Sequence, residues 1–321
     1  MKRNQKILVT AVFGAISTLA LNNVLAGTVT ATSIKDSPHN LSSSNILGTT
    51  PSGNPTSNKS GNTAEICVFC HTPHGGDNSA AVPIWNRKLG IGGASGALGY
   101  ARYAALGTTT FDALEAPIGS VSIACLSCHD GTQAIDNVIN LPGSGGFNQA
   151  TGTQIGNFAG GDAIGNPKAG GLSPGVVQNL GTDLSNDHPV SMQYGGGGIT
   201  ATNSTKTVDP DFRPVQVMNA PVSSKLGQLW YIETGGNSLN PGARDREDVI
   251  LYTRNDVTGG GGVLQPTVEC GSCHDPHNVE NQTFLRVSNS GPTPTVANLS
   301  GMLYPKANGS ASGLCLTCHD K

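Results

Sequence analysis

The chain has 321 residues, with 44 glycines and 19 prolines, only 5% aromatic and 12% charged residues, and a formal net charge of −3. The low charge separates it from a solvated disordered chain, and the low aromatic content separates it from a densely packed enzyme. Nothing in this balance suggests a nucleic-acid-binding surface.

The first residues read as a targeting segment. Met1 to Lys6 is basic, Ile7 to Leu21 is apolar, and Val24-Leu25-Ala26 offers a cleavage site before Gly27. This predicts a secretory signal peptide over residues 1–26. The apolar run is too short to span a bilayer comfortably, and no later stretch is apolar enough to cross one. Losing Lys2, Arg3 and Lys6 from the 18 basic residues leaves 15 against 21 acidic ones.

Residues 27–66 are rich in Ser, Thr, Asn and Gly and read as a loop or arm carrying one histidine, His39. A short helix is expected from Glu65 to about Thr72. Val82 to Arg87, with Trp85, is a hydrophobic anchor in an otherwise loop-like stretch, and a helix is expected over Ala101–Leu106. Residues 140–182 form a Gly-rich, low-complexity surface loop, followed by His188 beside Pro189. Residues 196–262 read as irregular except near their end. There, Val249 to Tyr252 and Val263-Leu264 are strand candidates, joined as a hairpin through Thr258 and Gly259 to Gly262.

All 8 cysteines fall in four Cys-x-x-Cys-His motifs: Cys67/Cys70/His71, Cys125/Cys128/His129, Cys270/Cys273/His274 and Cys315/Cys318/His319. Two thiols followed at once by histidine form the attachment site of a c-type haem. Each thiol adds to a vinyl group, and the adjacent histidine binds the iron. Disulfides or four-cysteine zinc sites would explain the cysteines in an exported chain. Neither needs a histidine after every pair. The motifs predict four covalently bound haem c groups, whose broad apolar faces would supply the buried surface that the side chains lack.

The order of these residues repeats. One half reads His39, Cys67 to His74 with a trailing Pro-His, and a plain motif at Cys125. The other reads His188, Cys270 to His277 with a trailing Pro-His, and a plain motif at Cys315. The lone histidine precedes its first cysteine by 28 residues in one half and 82 in the other. With four of the 8 histidines proximal, His39, His74, His188 and His277 remain as one distal ligand for each iron. Six-coordinate bis-histidine iron passes electrons and leaves no substrate position. Met192, near His188, is the rival distal ligand. His74 follows His71 by three residues, which reach at most about 10 Å. It therefore cannot wrap round to the opposite face of the same porphyrin, and its simplest target is the haem of Cys125/Cys128. The same argument sends His277 to the haem of Cys315/Cys318. His39 and His188 are left for Cys67/Cys70 and Cys270/Cys273.

The doubled motifs, with the stretches Cys67–Gly75, Pro83–Arg87, Cys125–Thr132, Asp187–Ser191, Cys270–Asn278 and Leu314–Lys321, resemble bacterial multihaem c-type cytochromes. They are most similar to the OmcE-type tetrahaem cytochromes that polymerise into extracellular filaments. The resemblance implies a homopolymer that meets other multihaem cytochromes and extracellular electron acceptors such as metal oxides. It also implies a distal histidine donated across the subunit boundary, for which His39 is the candidate.

The expected fold is mostly coil with short α-helices and few β-strands. It is a haem-cored multihaem cytochrome c of two tandem halves, about 27–140 and 180–321, with no membrane span after residue 26. The expected function is electron transfer at the cell surface, without catalysis. A monomeric periplasmic carrier is the alternative of the same class, and an oxyanion reductase with one open iron is the alternative from another.

Overall fold

The computed structural model describes residues 33–44, 63–87, 89, 99–103, 113–133, 138–142, 179–199, 207–218, 228–234, 244, 246–258, 263–287 and 313–319. The expected signal segment and nearly all of the Gly-rich loop lie outside these residues. So do Ala104 to Leu106 and the glycines of the expected hairpin turn.

An antiparallel sheet of five strands organises the described residues: β1 (Met192–Gln193), β2 (Gln216–Val217), β3 (Trp230–Ile232), β4 (Val249–Thr258) and β5 (Leu264–Val268), in the order β1-β5-β4-β3-β2. The expected hairpin is its centre, with β4 extended to Thr258 and β5 to Val268. β4 pairs with β5 through Tyr252↔Thr267 and Thr253↔Pro266, and the register then shifts before Thr258↔Leu264. Pro266 has no N–H to give the ladder, which accounts for the irregularity at that point. β3 pairs Trp230 with Leu251 and Ile232 with Val249.

The sheet is covered on both faces. Trp230, Ile232, Val249 and Leu251 pack with Tyr194 and Val215, and Leu314 and Cys318 lie against them. Ile250 and Tyr252, which alternate with those residues along β4, pack instead with Val121 and Leu229. Burial on both faces explains why Val249 to Tyr252 is a continuous apolar run rather than an alternating one. Each such side chain contributes about 1.5–3 kcal/mol by leaving water.

Three short helices meet this sheet: α1 (Ser122–His129), α2 (Cys270–Cys273) and α3 (Gly313–Cys318). α1 lies where the sequence places the second motif. The helix expected from Glu65 to Thr72 is instead a single 3-10 turn, Cys67–Phe69. It stops because His71 bridges to Trp85 and Thr72 N–H donates to Ile84 O at 2.9 Å. Ala101 makes a bridge to Asp183, and the remainder of the helix expected there runs out of the described residues after Tyr103. Residues 31–321 form one compact unit. Among the described residues no helix is long and apolar enough to cross a membrane.

A buried polar network joins α1, α2 and the sheet. Glu269, 1% exposed, accepts hydrogen bonds from Ser122 Oγ at 2.5 Å and Ser191 Oγ at 3.1 Å, and pairs with Arg254 at 3.4 Å. Ser122 Oγ in turn accepts the Cys270 N–H at 2.9 Å. Burial pushes the Glu269 carboxyl up to about 7, against the opposing pull of Arg254 and the two serines. Glu269 therefore binds its proton more tightly folded than unfolded, where its value is the ordinary 4.5. Its contribution to stability is complete below 4.5 and is lost as the pH rises through about 7. The stability of the native protein minus that of Glu269→Gln, from chemical denaturation at stepped pH, is expected to fall across that window; a flat difference would refute the assignment.

Candidate functional site

The first and third motifs share one hydrogen-bonded plan. In the first, Cys70 and His71 N–H groups both return to Cys67 O, at 3.1 and 2.8 Å. The chain then leaves, turns and comes back, so that Asn86 N–H donates to Cys70 O at 2.8 Å and His71 bridges to Trp85. His71 Nδ1 meets Pro83 O at 3.1 Å. In the third motif, His274 N–H returns to Cys270 O at 3.0 Å, Arg286 N–H donates to Cys273 O at 2.8 Å, and His274 bridges to Leu285. His274 Nδ1 meets Thr283 O at 2.8 Å. The carbonyl that receives the ring lies 12 residues after His71 but 9 after His274. Thus the internal repeat survives in its bonds where its spacing differs.

In both return loops the residue after the receiving carbonyl stands at positive φ, Ile84 at 49° and Phe284 at 60°, and Thr283, which supplies the second carbonyl, is at 55°. Such residues rarely adopt this conformation, and local strain of this kind collects at functional sites. A carbonyl accepts, so Nδ1 of both rings is the donor. Nε2 is left with its lone pair, the usual arrangement of a metal-ligating histidine.

Supporting side chains hold these loops. Asn86, fully buried, donates to Val68 O at 2.6 Å and Asn140 O at 2.9 Å, and accepts the Asn140 N–H at 2.8 Å. Three buried arginines each hold a carbonyl inside a motif. Arg87 Nη2 donates to Ser127 O at 2.9 Å, Arg286 Nε to Gly271 O at 3.0 Å, and Arg213 Nε to Leu316 O at 2.7 Å. Arg213 also gives its N–H to Cys318 O at 3.0 Å, and Tyr194 Oη lies 3.1 Å from that oxygen. Sequence reasoning passed over Arg213 and Arg286. Their signal was a charge set between apolar or proline neighbours, in Phe212-Arg213-Pro214 and Leu285-Arg286-Val287.

The thiols are all free. The four motifs neighbour one another in chain order. Burial pushes Cys70 up to about 12, and Cys128 adds to the shift. A hydrogen bond between the Cys125 and Cys270 thiols raises Cys125 well above its ordinary value and lowers Cys270. Burial raises Cys273 to about 11 with Cys315 contributing, and raises Cys318 with Cys273 contributing. Cys67 and Cys315 are exposed.

Two pairs of histidines lie close, one across the repeats and one within the first. His71 and His277 have ring centroids 6.1 Å apart with planes 19° from parallel. His277 Nδ1 lies 3.5 Å from Asp275 Oδ1, and that contact raises its affinity for a proton. His39 stacks on Phe284 at 4.2 Å and faces His129 at 6.1 Å and 71°. Burial, with His129 next, lowers His39 to about 4. Burial likewise lowers His71, although its bond to Pro83 opposes this. His319 packs against the Phe212 ring at 4.5 Å. His74 is exposed and engaged through its carbonyl, which receives Asn140 Nδ2 at 2.6 Å; His188 is exposed, with Nδ1 3.1 Å from Pro189 O.

Chain reach sends His277 toward the fourth motif and elimination sends His39 toward the first or third; among the described residues His277 stands against His71 and His39 against His129. Reach limits how far a residue travels but not which way the backbone turns. The turn is set by Asp275 Oδ1, which accepts the His277 N–H at 3.0 Å, while Asp275 Oδ2 meets Arg286 at 3.5 Å. Residues 33–44 are also not a loose arm. Asn40 and Ser42, both fully buried, bond to each other and to Lys35 O and Ser44, and this fixes the segment that carries His39.

Trp85 Nε1 and Asn278 Nδ2 are buried donors with no hydrogen-bond partner, and their residues adjoin His71 and His277. Among the described residues no group of three or more His, Cys, Asp or Glu side chains is placed to hold a metal ion. Arrangements of two facing imidazoles are what these residues offer. No protein-family model matches the chain, and no curated protein matches it.

Gly271 sits where the third motif touches the sheet. A Cβ there would lie 2.5 Å from Tyr252 Oη and 3.2 Å from Val121 Cγ2. Gly271→Ala is expected to cost about 1–3 kcal/mol by overpacking. Adding Tyr252→Phe, which removes the clashing oxygen, is expected to restore most of the loss in a denaturant titration.

Proposed function

We propose that this chain is a tetrahaem c-type cytochrome that transfers electrons and catalyses no reaction of its own. The observation that carries the reading is the shared treatment of His71 and His274. In each repeat the histidine after Cys-x-x-Cys gives Nδ1–H to a return-loop carbonyl and keeps Nε2 for a metal. The residues fit the group in other respects. The thiols beside these rings are free, and two buried donors next to His71 and His277 lack an acceptor of the kind a haem carboxylate provides.

Cys67/Cys70, Cys125/Cys128, Cys270/Cys273 and Cys315/Cys318 would each hold one haem c through thioethers, in which each S–H adds across a vinyl double bond. His71, His129, His274 and His319 would be the proximal ligands, with His39, His74, His188 and His277 as the distal set. When bound, the group supplies a one-electron iron couple and needs no substrate position. The protein's part is spacing and orientation. Pro83 and Thr283 carbonyls fix the ring tautomers, the arginines hold the motif backbones, and the Cys125–Cys270 contact sets two attachment edges side by side.

The finer reading rests on the family resemblance. The chain is exported by its first 26 residues and assembles with copies of itself into an extracellular filament. That filament receives electrons from other multihaem cytochromes and delivers them to external acceptors such as metal oxides.

Pyridine haemochrome analysis and intact mass of the exported protein are expected to give four haems per chain. The pair Cys315→Ser/Cys318→Ser is expected to give three. Zinc without haem would overturn the reading. Material sheared from cells is expected to contain haem-staining fibres by electron microscopy, and haem-loaded monomers alone would leave the carrier function and remove the filament.

A further inference from the structure

We propose that one axial ligand crosses between the two repeats and another passes over a motif within its own: His277 serves the iron of the haem at Cys67/Cys70, opposite His71, and His39 serves that at Cys125/Cys128, opposite His129, all within the same chain. This rests on the haem reading above and replaces both the sequential pairing and the donation of His39 to a neighbouring subunit.

The distances carry the argument. A bond from imidazole nitrogen to a metal is about 2 Å. Adding the step from Nε2 to the ring centre on each side puts two imidazoles on opposite sides of one ion with centroids about 6 Å apart. Both pairs have centroids 6.1 Å apart. His39 also stacks nearly parallel on Phe284 at 4.2 Å, while the His71–His277 planes are 19° from parallel at 6.1 Å.

The second ring nitrogens agree. His71 Nδ1 is taken by Pro83 O at 3.1 Å and His277 Nδ1 by Asp275 Oδ1 at 3.5 Å. Both rings are thus anchored at Nδ1 with Nε2 left over, one by a carbonyl and one by a carboxylate, the two common outer partners of a ligating histidine. The unpartnered donors Trp85 Nε1 and Asn278 Nδ2 belong to the residue at the edge of His71, with ring centroids 5.9 Å apart, and to the residue after His277. Buried donors of this kind are normally satisfied, and a haem carboxylate is an acceptor of the kind they lack. On the other pair, Phe284 comes from the return loop of the third motif, so that loop braces the ligand of the second.

The test uses the full-length, haem-loaded protein and reads spin state rather than electron-transfer activity. His277→Ala is expected to keep four haems and turn one of them high-spin and able to bind carbon monoxide, with added imidazole returning it to low spin. In a Cys67→Ser/Cys70→Ser background, which retains three haems, His277→Ala is expected to open no iron. If it opens one there, His277 serves another motif and the pairing falls. His39→Ala is expected to behave likewise and to be silent in a Cys125→Ser/Cys128→Ser background. Should a background variant not accumulate, the density of the native haem-loaded protein decides. His277 on the iron attached at Cys67/Cys70 supports the pairing, and His277 on the iron at Cys315/Cys318 overturns it. Native protein without haem would overturn the functional reading itself, which separates the two failures.

Discussion

A single buried carboxylate holds the separate parts of this molecule in register. Glu269 stands at the end of β5 and immediately before Cys270. Its carboxylate receives Ser122 of α1, Ser191 ahead of β1 and Arg254 of β4. Taking a carboxylate out of water costs several kcal/mol unless its lone pairs are used. The four groups must therefore arrive together. Ser122 is the joint: its hydroxyl donates to Glu269 and accepts the Cys270 N–H. The same atom thus fixes the start of α1 and the start of α2, and the Cys125 and Cys270 thiols are brought into hydrogen-bonding contact as a consequence.

The return loops apply a comparable constraint at smaller scale. A loop of a different length follows His71 than follows His274, yet both deliver a carbonyl to Nδ1 and a backbone N–H to the second cysteine's oxygen. Ile84 and Thr283 accept a left-handed conformation to make that delivery. A β-branched residue held there is compensated by the bonds around it: Thr72 N–H to Ile84 O in one loop and Asp275 N–H to Phe284 O in the other. What recurs between the repeats is the hydrogen bond, and the chain length between its ends is free to vary.

This distinction explains what could be read from the sequence. The four Cys-x-x-Cys-His motifs were legible because they stand at fixed offsets, and the β4–β5 hairpin because it is a local pattern; the helical state of α1 was not. β2 and β3 were not: each is two or three residues long, and β3 is buried on both faces, so no alternation marks it. The helix expected through Thr72 was cut short by Trp85, a partner 14 residues after His71 that no local window weighs. The facing of His277 and His71 escaped local reading for the same reason. Three residues of reach bound the position of His277, but the turn that aims it depends on Arg286, which lies beyond the loop.

Few aromatics suggested that porphyrin faces must supply the core, yet Tyr194, Tyr231 and Trp230 are each less than 5% exposed around the sheet. The protein has an apolar centre of its own, placed between the motif-bearing elements. α3 lies on one face through Leu314 and Cys318, and the approach to α1 lies on the other through Val121. The sheet therefore works as a spacer, and the cofactor sites of the proposed reading are arranged around it. If His277 crosses to the first repeat as inferred, that repeat cannot complete its ligand set alone. Loss of one group would then loosen residues from both halves, which agrees with the grouping of residues 31–321 as one compact unit. Two tandem halves in sequence need not be two domains: His277 of the second stands against His71 of the first, and Phe284 of the second against His39.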